Sequence, residues 1–266
     1  MAGAKALIIA HRGHSVGAPE QTMSAYTAAI ELGADMLEAD VRLSRDGRLI
    51  LLHDSTVDRT TDGRGEVGDF TWSQLRQLDG GSWFAAEFAG ERVPCLDELF
   101  DLADAAGVRL CLEAKGESDD ARTVVAVAVA SALVERRRLE CDVLASFDHG
   151  ALATAAGTTP GLCTAPERLP ERGQLNPSDL VAQARRIGAE IIQHHHADLV
   201  GKSVDAVHEA GMELWVWPTT SPEDIARAVA LGADGLMGGD VLAMKDTLSS
   251  LRPAPGLGHD DRHSTR

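Results

Sequence analysis

The sequence has no apolar run long enough to cross a bilayer. Its longest, Val124 to Val134, falls well short of the ~20 residues a spanning helix requires, so no stable membrane anchoring is expected. The apolar stretch Leu7 to Ala10 is broken by His11 and Arg12 before a signal-peptide core could form. Positive charge is also scarce. A formal net charge of -16 and a pI near 4.9 argue against nucleic acid and anionic membranes as partners, since both need a basic face to displace counterions. Cysteine is sparse, and Cys95, Cys111, Cys141 and Cys163 form neither a CxxC pair nor a zinc-ligand spacing. They read as reduced, half-buried thiols of a cytoplasmic protein. No short internal repeat is present.

What is present is an ordinary globular composition, 44% hydrophobic and 25% charged over 266 residues, at the size where one α/β barrel closes as a single unit. Short apolar runs alternate with helical patterns: Leu7 to Ala10, Met36 to Val41, Arg109 to Glu113, Val143 to Ser146, Glu190 to Gln193, Glu213 to Trp217 and Gly235 to Met237. That rhythm is the mark of βα units around a parallel sheet. Helix punctuation supports it. Leu96, Leu99, Phe100 and Ala103 fall on one helical face ahead of Gly107, and Ser221, Pro222 and Asp224 open a helix that Gly232 ends. Residues 54–94, rich in Gly, Asp and Thr, break the rhythm and read as a small insertion over the barrel mouth. The expected unit is therefore a TIM-type (β/α)8 barrel over residues 1–251, with an insertion after the second strand region and a disordered tail at 252–266.

Ionisable residues collect where the early strands end: His11 and Arg12, Glu38 and Asp40, His53 and Asp54, Glu113 and Lys115. Residues two apart on a strand share a face, so Glu38 with Asp40, and Glu113 with Lys115, project as pairs. If those faces point inward the pairs meet, at the strand ends where barrel enzymes keep their chemistry. Each residue alone has an ordinary structural explanation as a cap or a satisfied polar side chain. Three carboxylates, two histidines, an arginine and a lysine together would be costly to bury without a ligand. An acidic chain would also need such a local concentration of cations to hold an anionic substrate.

These residues sit in segments that resemble the glycerophosphodiester phosphodiesterases. The segments are HRG at 11–13, PEQT at 19–22, LEADVRLSRDG at 37–47, LLHD at 51–54, LDGGSWF at 78–84, VPCLDELFDL at 93–102, LEAK at 112–115, ASFD at 145–148 and ELWVW at 213–217. The likeness runs in order from Ile8 to about Asp240. It implies His11 and His53 as catalytic acid and base, and Glu38, Asp40 and Glu113 as ligands of one divalent cation. It also implies Arg12 and Lys115 as phosphate contacts, with Trp217 lining the substrate pocket. An all-carboxylate ligand set suits Mg²⁺ or Ca²⁺ better than zinc. The implied reaction is hydrolysis of a small phosphodiester to sn-glycerol 3-phosphate and the head-group alcohol, within lipid and glycerol metabolism.

The sequence departs from that pattern at several places. Gln21 stands where Asn is usual, Pro218 to Thr220 replace Thr-Val-Asn, and Gly238 and Gly239 replace Thr-Asp. The run His194 to His196 has no counterpart; alternation puts His194 and His196 on one face, a solvated strand end or an added contact to substrate. These late changes are expected to shape the pocket for the departing alcohol. Two other readings compete: a lysophospholipase D-like enzyme using Trp83, Phe84 and Phe88 as an apolar landing surface, and a catalytically silent barrel that binds phosphorylated ligands. Oligomeric state leaves no trace in the sequence.

Overall fold

In the computed structural model, which describes residues 6–168 and 176–251, the chain closes into an eight-stranded parallel barrel ringed by helices. Its first elements are β1 (Leu7–His11), α1 (Met23–Leu32), β2 (Met36–Leu43), β3 (Leu49–Leu51), α2 (Trp72–Leu75) and α3 (Leu96–Ala106). Strict alternation follows, with β4 (Arg109–Ala114), α4 (Asp119–Glu135), β5 (Val143–Ser146), α5 (His149–Thr158), β6 (Cys163–Arg168) and α6 (Pro177–Arg186). The last elements are β7 (Ile191–His195), α7 (Gly201–Glu209), β8 (Glu213–Trp217), α8 (Pro222–Leu231), β9 (Gly235–Gly238) and α9 (Val241–Ser250). The hydrogen-bonded order β1-β9-β8-β7-β6-β5-β4-β2 is closed by β1 pairing with β2.

Alternation along each strand sorts side chains into two layers. Outward residues such as Ile8, Leu37, Leu112, Leu144, Ile192 and Val216 join the helices in one continuous apolar shell. Inward residues Ile9, Met36, Cys111, Val143, Ala165, Ile191, Trp215 and Met237 fill the barrel itself. The next inward position toward the C-terminal end is where the polar residues begin. Strand register sets them level: His11 opposite Glu38, Asp40 opposite Glu113, Glu113 opposite Ala145, and Glu167 opposite Gln193. A plug of apolar side chains thus forms the floor, and a polar ring stands directly above it.

Two features differ from the sequence expectation. The strand β6 has no counterpart among the apolar runs, because Cys163-Thr-Ala-Pro-Glu-Arg carries only small and polar residues, yet it is buried throughout on both faces apart from Cys163. His53 does not follow a barrel strand at all. β3 runs antiparallel to the end of β2, Val41 facing Leu51, so the chain turns back and delivers His53 to the mouth from above.

Residues 54–94 hold α2 and two short 3-10 turns, Val67–Asp69 and Ala86–Phe88. A separate apolar cluster of Ile50, Leu52, Val57, Val67, Leu75 and Val93 holds this stretch together. The helix punctuation behaves as expected: Gly107 and Gly232 end α3 and α8 with φ of 66° and 94°, and Ser221 accepts the Asp224 N–H at 3.1 Å. All four cysteines are free, and no helix among the described residues is long and apolar enough to cross a membrane. The expected tail, 252–266, lies outside the described residues.

Candidate active site

The inward faces of β2 and β4 bring Glu38, Asp40 and Glu113 together, all buried, with one carboxylate oxygen from each lying within 4.8 Å of the others. Oxygens on one cation at roughly 2.0–2.6 Å can stand about 4–5 Å apart, so the trio has the span of a single-ion site. Its electrostatics call for a cation. Burial and the neighbouring Asp40 push Glu38 well above the usual carboxylate range, and burial with Asp40 lifts Glu113 to about 7. Asp40 goes the other way. Burial would raise it, but Lys115 and Arg12 hold it well below the usual range. Asp40 Oδ1 makes no aligned hydrogen bond, although Lys115 Nζ is 3.1 Å away. A buried acid trio with spare acceptor capacity and two members driven toward protonation fits a hard divalent cation.

Two cations face the trio. Lys115 Nζ lies 2.5 Å from Glu113 and 3.1 Å from Asp40, so the two pairs expected from strand alternation do meet. Arg12 sits 3.0 Å from Asp40 and donates to Glu20 at 3.0 Å. Its backbone is left-handed, φ 59°, followed by Gly13 at φ 82°. A Cβ on Gly13 would stand 2.6 Å from the Ala25 carbonyl carbon, which is why the HRG turn needs glycine there. That turn hands the Arg12 N–H to Glu38 Oε2 at 3.0 Å.

The histidines flank the acids. His11 Nε2 is 3.8 Å from Glu38, and burial with the nearby Arg12 lowers its pKa to about 3. Burial also lowers His53, against the pull of Asp40. His53 Nδ1 is 2.7 Å from Asp54, itself tied to Arg59 at 2.6 Å, and Arg59 reaches on to Glu20. Arg42 holds the His53 carbonyl at 2.7 Å. A chain of ion pairs thus joins His53 to Arg12 through Asp54, Arg59 and Glu20.

His11, Arg12, Glu38, His53, Glu113, Lys115 and Trp217 line one cavity of about 350 Å³. Its remaining wall contains two groups that the sequence reading missed, Glu167 and Gln193, respectively 6% and 1% exposed. Burial and Glu113 push Glu167 well above the usual carboxylate range. The signal that could have found it was a lone acid two residues beyond Ala165, hidden because β6 does not look like a strand. Trp217 stands edge-on to Phe147 and His195, ring centres 5.4 and 5.1 Å apart.

The altered segments divide. Gln21, at φ 61°, donates to Asp40 and so reaches the acid trio. Pro218 lines the cavity, but Thr219 is buried behind it, its hydroxyl on the Met237 carbonyl at 3.0 Å, and Thr220 turns to Asp224. Gly238 leaves room for Thr219, whose carbonyl oxygen would be 2.3 Å from a Cβ there. Asp240 caps α9 by accepting the Ala243 N–H. In the histidine run alternation stops at His195, because His196 begins a 3-10 turn. His194 faces outward and is buried rather than solvated, His195 meets Trp217, and His196 pairs with Asp224 at 3.1 Å.

Comparison with known proteins gives the same picture. Residues 11–242 match the model of the glycerophosphoryl diester phosphodiesterase family. A glycerophosphodiester phosphodiesterase of Caldanaerobacter subterraneus subsp. tengcongensis is 34% identical over 236 residues, spanning 89% of this chain and 95% of the relative. A phosphodiesterase of Oleispira antarctica, solved with the product sn-glycerol-3-phosphate, shares the fold at a TM-score of 0.84 and 24% identity, over 91% of this chain and 96% of that one. The glycerophosphodiester phosphodiesterase of Agrobacterium tumefaciens aligns at 0.74 and 27% identity, over 90% and 99%.

Proposed function

This chain belongs to the glycerophosphoryl diester phosphodiesterase family, and from that footing we propose how its residues divide the work. The substrate is a glycerophosphodiester, cleaved to sn-glycerol 3-phosphate and the head-group alcohol in the cytoplasm, as part of lipid and glycerol metabolism. Residues 1–251 act as one barrel unit, with 54–94 as an insertion over the mouth. The observation that carries the assignment is the convergence of Glu38, Glu113, Arg12, Lys115 and both histidines on one cavity, with Asp40 buried beside the two glutamates.

Glu38, Asp40 and Glu113 hold one Mg²⁺ or Ca²⁺, which when bound offsets the negative charge building on the phosphoryl oxygens. Arg12 and Lys115 bind non-bridging oxygens and orient the diester. His11, held neutral by its buried surroundings, accepts the proton of the attacking hydroxyl, one water being consumed over the whole hydrolysis. His53, oriented by the contact of its Nδ1 with Asp54 at 2.7 Å, donates to the departing oxygen. Trp217 closes the wall beside the substrate.

Turnover of a panel of glycerophosphodiesters and lysophospholipids, with and without Mg²⁺ or Ca²⁺, tests this. Metal-dependent release of glycerol 3-phosphate supports it. Preferential release of head group from lysophospholipids would favour the lysophospholipase D-like reading, and no turnover of any member would favour a silent barrel.

A further inference from the structure

His194 belongs to a part of the molecule that the reaction does not use. In strand register it stands opposite Arg168. Their neighbours Glu167 and Gln193 point into the barrel, so these two point outward, toward the gap between α6 and α7. With Asp198, Lys202 and Ser203 they line a cavity of about 360 Å³ that has no residue in common with the active-site cavity.

The polar groups around this second cavity do not satisfy one another. Arg168 is 7% exposed, yet its Nη2 is buried with no hydrogen-bond partner among the described residues, and Asp198 Oδ2 is in the same state. A buried guanidinium and a carboxylate left so are costly unless a ligand completes them. α7 begins at the cavity with Val200 at its cap, a side chain that accepts no hydrogen bond, so the first N–H groups of that helix add partial positive charge. His194 Nδ1 faces the His195 carbonyl at 2.9 Å and therefore carries its proton. Burial lowers the pKa of that ring and keeps it neutral, which leaves Nε2 as an acceptor.

Two cations and a helix N-terminus against one acid exclude a cationic ligand and select an anion. Asp198 and the neutral His194 narrow the choice, because an anion made only of acceptors would leave both unmet. A phosphate on a hydroxylated carbon arm supplies both kinds of group: oxygens for Arg168, Lys202 and the α7 N–H groups, hydroxyls for Asp198 and His194. We propose that this cavity is a second binding site, outside the barrel, for a small phosphate monoester bearing hydroxyl groups. The sn-glycerol 3-phosphate formed in the reaction proposed above is of that class. The site needs neither the cation nor the histidine pair, so it stands or falls apart from that reaction.

Calorimetric titration of the full, metal-free chain with no diester present tests this, because catalysis then plays no part. sn-Glycerol 3-phosphate should bind with a Kd of about 1 mM or tighter, the range in which enzymes meet their metabolites. Ethyl phosphate, which lacks the hydroxyls, should bind about 10-fold or more weakly, and Asp198→Ala should narrow that gap. Arg168→Met should weaken both phosphates by about 10-fold or more, and so should Lys202→Met, at an exposed position where folding is not at stake. Tighter binding of sn-glycerol 3-phosphate than of ribose 5-phosphate would support the site with the enzyme's own product as occupant; the reverse order would support it with a sugar phosphate. Absence of saturable binding by either overturns the proposal. So does binding that survives both Arg168→Met and Lys202→Met, which would put the ligand elsewhere, or equal affinity for ethyl phosphate.

Discussion

The side-chain amide of Gln21 donates to Asp40 Oδ2 at 2.6 Å while its own oxygen accepts the Tyr26 hydroxyl. Gln21 thereby fixes one acid of the trio from a residue held in a left-handed turn, and ties that acid to the buried end of α1.

Gln21→Ala should therefore weaken cation binding without removing a ligand. Loss of a partner behind a metal ligand costs roughly 10–100-fold in affinity. Titration calorimetry with Ca²⁺ or Mg²⁺ checks this, and an unchanged Kd would show that Asp40 needs no such support.

Chelation should abolish turnover, and Mg²⁺ or Ca²⁺ should restore it, because Glu38, Asp40 and Glu113 share a buried space where their charges oppose one another. Full activity in excess EDTA, on protein shown by elemental analysis to be free of metal, would contradict the assignment.

Affinity for the cation should fall as the pH falls. Glu113 titrates at about 7 without the ion, so below that pH protons compete with the cation for the same oxygen. The direction for stability is opposite in the two states. Folded Glu113 holds its proton to higher pH than the unfolded chain does, so metal-free stability from this group is complete below about 4.5 and is lost as pH rises through 7. The gain in Tm on adding cation should accordingly be larger at pH 8 than at pH 6, measured by differential scanning fluorimetry.

His11→Ala and His53→Ala should each lower kcat by roughly 100-fold or more while leaving the circular dichroism spectrum unchanged. Either variant keeping near-wild-type kcat would remove that histidine from proton transfer.

Thr219→Val, the family-like residue at that position, should affect stability rather than head-group choice. Its hydroxyl bonds the Met237 carbonyl behind the cavity wall, and that carbonyl keeps the Thr219 N–H at 2.8 Å. The expected cost is about 0.5–1.5 kcal/mol, with the ranking of choline, ethanolamine, glycerol and inositol diesters preserved. A changed ranking would place this segment in contact with the leaving alcohol, as the sequence pattern alone implied.

The barrel was legible because most strands are apolar runs of the right length, and the acid trio because a period of two put Glu38 with Asp40 and Glu113 with Lys115. Both signals failed at β6, where Thr164 and Pro166 replace branched apolar residues and tertiary burial overrides local preference. Glu167 was lost with that strand. Gln193 was lost for a different reason: an uncharged amide inside a strand gives no sign that it lacks a partner until its neighbours are known. The histidine run misled because alternation holds only while the chain is extended, and it ceases at His196.

The return of β3 along β2 means that the acids and His53 are supplied by elements of different origin in the chain: the barrel wall and a hairpin leaning over it. Evolution could therefore lengthen, shorten or retune the hairpin and its bond to Asp54, shifting the proton-transfer partner, while the strand register that holds the acids stays fixed. For a designer, the segment between Leu43 and Cys95 is an exchangeable cassette on a fixed socket. Swapping it between relatives should transfer pH behaviour and leave metal preference with the recipient barrel.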